Sequence, residues 1–112
     1  MAAAIQITIV RGPPGLRSSK SFILGDYGRL HRQEVNRILE QNTLIFIEGP
    51  DVEGAMEIDG PLLTKALRDR SAAIDEIEDD ELLHPFQELR DYWLSLSESD
   101  NAFALAEIVL GS

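Results

Sequence analysis

The chain reads as an α+β domain: a small antiparallel or mixed sheet of about four strands, covered on one face by three to four helices. Three observations carry that reading. Residues 4–11, AIQITIVR, alternate Ile5, Ile7 and Ile9 with Gln6 and Thr8, the period of a half-buried strand. Beyond residue 60 the apolar residues recur at helical spacing instead. Strand-like and helix-like segments thus partly segregate, which favours helices layered on a sheet over strictly alternating units. With 112 residues, 44% of them hydrophobic, the chain should form a single domain with a real core.

The first strand ends at GPPG, residues 12–15, because neither proline can donate to a ladder and both glycines permit turn geometry. SFILG, 21–25, reads as a short returning strand. From Gly28 the pattern turns helical, with Leu30, Val35, Ile38 and Leu39 on one side and Asp26 as N-cap. TLIFIEG, 43–49, is an apolar run with the composition of a central strand. With the turn PDVEG and then AMEID it makes residues 43–59 a β-hairpin. The step from the second strand through the helix into TLIFIEG could instead form a parallel crossover.

GPLLTKALRDRSAAIDEI, 60–77, reads as one helix. Asp59 caps it, Pro61 takes the first-turn position, and Leu63, Leu67, Ile74 and Ile77 form one stripe. EDDELLHP interrupts it, since the residue before Pro85 is pushed from helical geometry. A further helix is expected from about Pro85 to Leu96, with Phe86, Leu89, Trp93 and Leu96 on its core face. The final segment, SESDNAFALAEIVLGS, offers Ser97, Ser99 or Asp100 as a cap and Gly111 as a stop, which favours a short buried helix over a strand.

Charge narrows the function. The net charge is -10, yet residues 1–42 hold six Lys/Arg against three acids, while residues 43–112 hold four against seventeen. Such a bipolar chain can attract a small anion at one end and a basic partner at the other. Generic nucleic-acid binding is disfavoured, because affinity for duplex backbone comes mostly from Lys/Arg. There is no cysteine, which removes disulfides, thiolate metal sites and cysteine nucleophiles. The start, MAAAIQITIVRG, lacks a basic region before a long apolar one, and no run approaches the length of a membrane span, so a cytoplasmic protein is expected.

Motifs for chemistry are incomplete. The stretch GPPGLRSSKS resembles a Walker-type phosphate loop, with LIFIE ending at Glu48 resembling a Walker B strand. The pattern G-x-x-x-x-G-K-[ST] nevertheless fails in register: Ser19 and Pro14 stand where both glycines must be ahead of Lys20-Ser21. A simpler anion site remains, built from Arg11, Arg17, Ser18, Ser19, Lys20 and Arg29. The acidic run Asp75, Glu76, Glu78, Asp79, Asp80 and Glu81 has neither the central glycine nor the alternation of a calcium loop. It reads as a solvated helix junction or a docking patch for a basic partner, and Tyr92, off the apolar stripe, is a separate surface aromatic candidate for partner contact. Glu81-x-x-His84 is half of a carboxylate di-metal motif without its second copy, His31 has no such partner, and no catalytic set is assembled.

The expectation is a small acidic, non-enzymatic binding protein without cofactor: an inhibitor, immunity-type protein, chaperone or phage accessory factor that occludes a protein partner. The alternatives are a phosphate- or nucleotide-binding protein or minimal enzyme using residues 11–20, and a structural subunit of a larger assembly, a homodimer included.

Overall fold

A computed structural model describes residues 3–24, 35 and 56–110. The helix expected from Gly28 and the strand 43–49 with its turn lie outside the described residues, as do Arg29 and His31; Val35 of that stretch is helical and fully buried. The described chain runs β1 (Ala3–Arg11), β2 (Ser18–Leu24), β3 (Met56–Ile58), α1 (Gly60–Asp69), α2 (Ser71–Asp75), α3 (Asp80–Ser95), a short 3₁₀ turn (Glu98–Asp100) and β4 (Phe103–Leu110). The four strands form one antiparallel sheet in the order β2-β1-β4-β3, with the three helices packed against one face.

The alternation in β1 sets this arrangement. Ile5, Ile7 and Ile9 point toward the helices and are almost wholly buried. Ile7 lies between Phe22 of β2 and Ala106 of β4 in the sheet register. Phe22, Leu24, Ala104 and Ala106 complete the inner sheet face. Leu63, Ala66, Leu67, Ile74, Leu82, Phe86, Leu89 and Trp93 close over it from the helices. The other face carries Gln6, Thr8, Ser21 and Glu107, joined across strands by Gln6 Nε2 donating to Glu107 Oε1 at 3.0 Å and by the 2.9 Å contact of the Thr8 and Ser21 hydroxyls. Such cross-strand pairs fix register, because a one-residue slip would turn the isoleucines toward solvent.

The structure corrects three expectations. Residues 103–110 form β4, not a helix. Ala104 and Ala106 face inward while Phe103, Leu105, Glu107 and Val109 alternate with them, so the segment follows a strand's two-residue period and its alanines are small residues on a buried strand face. Ser97 and Asp100 do cap, but they cap the 3₁₀ turn: Ser97 N donates to Asp100 Oδ2 at 2.7 Å, and Asn101 ends the turn in a left-handed conformation at φ 50°.

Secondly, the segment 60–77 is two helices broken at Arg70, whose φ of -111° leaves the helical region. Continuing the Leu63–Leu67 stripe would drive Arg70 or Ser71 into the core. Breaking there keeps both half-exposed while Ile74 still reaches it. Thirdly, α3 begins at Asp80 and runs through Pro85. Asp79 Oδ1 accepts from Glu81 N at 3.0 Å, and acidic residues in the first turn suit the helix dipole. Leu82 therefore joins Phe86, Leu89 and Trp93 on the buried stripe, and the cost of Pro85 is confined to the hydrogen bond it cannot donate toward Glu81 and the crowding there.

The β1–β2 hairpin closes through Gly12–Arg17, with Gly12 at φ 104° and Gly15 at φ 89°. Gly12 N also donates to Asp100 O at 2.7 Å, tying the hairpin to the 3₁₀ turn. A Cβ at Gly12 would stand 2.7 Å from the Leu16 carbonyl oxygen, whereas one at Gly15 would meet nothing within 4 Å. Gly12→Ala should accordingly lower the unfolding free energy by more than about 2 kcal/mol and Gly15→Ala by about 1 kcal/mol, measured by urea denaturation.

Candidate functional site

Three surface regions carry the chemistry. The first is the basic end of the hairpin. Arg11 and Ser18 are register partners at the end of the helix-covered face, and Lys20 lies one pleat further along the same face. Both cations gather at Tyr92 of α3: the Arg11 guanidinium carbon is 5.8 Å from the ring centroid and the Lys20 ammonium 5.1 Å. Phe22 completes the cluster, its ring 5.8 Å from that of Tyr92. Arg11 makes a long ion pair of 4.0 Å with Asp100, an exposed contact of small energetic weight. Strand alternation sends Arg17 and Ser19 to the opposite face, where Arg17 stacks 5.1 Å from the Phe103 centroid. The structure thus brings Arg11, Ser18 and Lys20 together and separates Arg17 and Ser19 from them.

The second region is the acidic rim between α2 and α3. Glu78, Asp79, Asp80 and Glu81 line an open depression of about 500 Å³. Glu76, Glu78 and Asp80 are exposed and make no ion pair among the described residues. Asp75, by contrast, is engaged in the fold. It accepts from Arg90 Nη1 at 2.6 Å and from Gln87 Nε2 at 2.9 Å. Arg90, whose side chain is 13% exposed, also donates to the Ser71 hydroxyl and carbonyl and to Asp91. Burial pulls the Arg90 pKa down, but its hydrogen bonds to the Asp75 and Asp91 carboxylates outweigh that and the net shift is upward. Arg90 is therefore a clamp between α2 and α3. Tyr92, expected as a surface aromatic, is half-buried beside the hairpin cations.

The third region was not visible in the sequence. Gly60, Pro61, Thr64, Trp93, Leu96, Ser97, Glu98, Asn101 and Ala102 line an open cleft of about 530 Å³ where the start of α1, the end of α3 and the 3₁₀ turn meet. Trp93 Nε1 donates to Thr64 Oγ1 at 2.9 Å, which holds the indole in place. Because these segments are far apart in the chain, no local spacing announces the cleft. The lone Trp93 was legible only as a core residue, which it is.

Among the described residues, no group of three or more His, Asp or Glu side chains is placed to hold a metal ion, and no helix is long and apolar enough to cross a membrane. No protein-family model, curated protein or solved structure matches the chain.

Acid tests the Asp75 clamp. The hydrogen bond from Arg90, seconded by that from Gln87, holds the Asp75 carboxyl below its ordinary value of 3.8, and the Ser97 N–H does the same for Asp100. A carboxylate with a lowered folded-state pKa stabilises the fold above its unfolded value, and that contribution is lost as pH falls through the lowered value. Between about pH 5 and pH 2 the melting temperature should fall less steeply for Asp75→Asn than for the native chain, because one of the responsible groups no longer titrates.

Proposed function

We propose that the protein is a small acidic binding protein, without catalytic chemistry of its own, that acts by occluding a protein partner with a basic surface. The observation that supports this reading best is the rim Glu76, Glu78 and Asp80: exposed carboxylates with no ion pair among the described residues, ahead of and within the first turn of α3. Charge held unneutralised on a rigid helix start accelerates encounter with a basic surface and makes association sensitive to salt. With the partner recovered from the native source, the association rate should fall at least about tenfold between 10 and 300 mM salt. Glu76→Gln with Glu78→Gln and Asp80→Asn should slow it by a similar factor while leaving the circular dichroism spectrum unchanged. An association rate indifferent to both would remove this reading.

A second reading has its own support in the convergence of Arg11 and Lys20 on Tyr92, since two cations held at one ring can share a small anion such as phosphate or a nucleotide phosphate. Saturating anion at one hundred times its dissociation constant would add about 2.7 kcal/mol of stability. A thermal-shift titration with phosphate and nucleotides should show that shift in the native chain and lose it in Arg11→Ala with Lys20→Ala. Arg17→Ala, on the other face, should retain it.

A further inference from the structure

The cleft beside Trp93 has a lining that selects for one kind of occupant. Its walls are apolar where Pro61, Trp93, Leu96 and Ala102 stand, and Glu98 contributes a carboxylate. Gly60 leaves the indole edge open to the cleft, since even a methyl group there would come within 3.7 Å of Trp93 Cζ2. Gly60 also lines an adjoining depression of about 390 Å³ that contains Glu57, Ile58 and Asp59. Acidic residues line both depressions, Glu98 the cleft and Glu57 and Asp59 its neighbour, and among the described residues neither lining includes a lysine or arginine.

The start of α1 does not counteract that polarity. A helix N-terminus ordinarily attracts anions through its free N–H groups. Here Pro61 has none, Leu62 N donates to Asp59 Oδ1 at 3.0 Å, and Leu63 N donates to Asp59 O at 2.9 Å. The indole N–H is likewise committed to Thr64. Apolar walls, an aromatic edge and the Glu98 carboxylate at the mouth suit a cation on an aliphatic stem.

We infer that this cleft receives an arginine or lysine side chain of the protein partner, its stem against Trp93 and Leu96 and its charged head at Glu98. The inference rests on the acidic-binding reading above and gives it a specific anchor, since a basic side chain in an aromatic-walled cleft provides the desolvated centre that exposed rim charges lack.

Trp93 is the only tryptophan, so its fluorescence reports the cleft directly. Titration of the full chain with N-acetyl-arginine amide should give a saturable change in emission with a Kd of about a millimolar, and the neutral citrulline analogue should give none. Glu98→Gln should weaken the response at least about threefold, while Glu78→Gln, on the separate rim, should leave it unchanged. No saturable change, an equal response to citrulline, or an affinity untouched by Glu98→Gln would overturn the inference. Labelled deca-arginine followed by anisotropy separates the two levels. If it binds in a salt-sensitive manner while Trp93 ignores arginine amide, the cleft is wrong and the acidic-surface reading stands; if neither probe binds, both fall.

Discussion

The pairing of β1 with β4 is the contact on which the rest of this molecule depends. Residues 3–10 and 103–110 meet strand to strand along their whole length, and β1 holds β2 on its other edge. Because the partners are distant in sequence, the sheet costs substantial loop-closure entropy before any of its hydrogen bonds form. What offsets that cost is burial: Ile5, Ile7 and Ile9 lose almost all their exposure, flanked by Phe22 and Leu24 on one side and by Ala104 and Ala106 on the other. Hydrophobic burial of this kind, at about 25 cal/mol per Å² of apolar surface, is the dominant favourable term in folding.

Each surface region inherits its position from that pairing. β4 can enter the sheet beside β1 only if the chain leaving α3 turns back, and the 3₁₀ turn at Glu98–Asp100 with left-handed Asn101 makes that turn. The same turn places Asp100 against Gly12 and Arg11, and Glu98 at the mouth of the cleft. The two ends of charge consequently sit on one scaffold. The hairpin cations are gathered by Tyr92, and the carboxylates Glu76, Glu78 and Asp80 are presented around the start of α3. Arg90 is the exception, a partly buried cation of the acidic segment whose hydrogen bonds to Ser71 and Asp75 hold α2 on α3.

Much of the architecture was legible wherever one local pattern dominated. The isoleucine alternation in β1, the Asp59–Pro61 start of α1 and the Phe86–Leu89–Trp93 stripe each state their structure within a dozen residues, and the α+β class followed from them. Legibility failed where local and tertiary preferences conflict. The capping residues ahead of FALAEIVL point locally to a helix, and only the neighbouring isoleucine ladder makes its small residues the right filling for a central strand. Pro85 argues locally against a helix, yet the Asp79 cap and the burial of Leu82 outweigh it. Arg70 and Ser71 fall on the apolar stripe, a polar interruption that the helical spacing of Leu63, Leu67 and Ile74 masks. For the surface sites, Arg11 and Lys20 were visible as cations, but their separation from Arg17 depends on strand parity, and the cleft depends on segments that only the fold brings together.

Native-state hydrogen exchange tests the primacy of the β1–β4 pairing most directly. If that pairing organises the fold, the slowest amides in the protein are those joining residues 5–9 to residues 104–108. Their opening free energy then equals the global unfolding free energy from denaturant titration, while β2 and α2 open at lower cost. Exchange of these central-strand amides ahead of the α3 amides, through openings that leave the helices protected, would contradict the account.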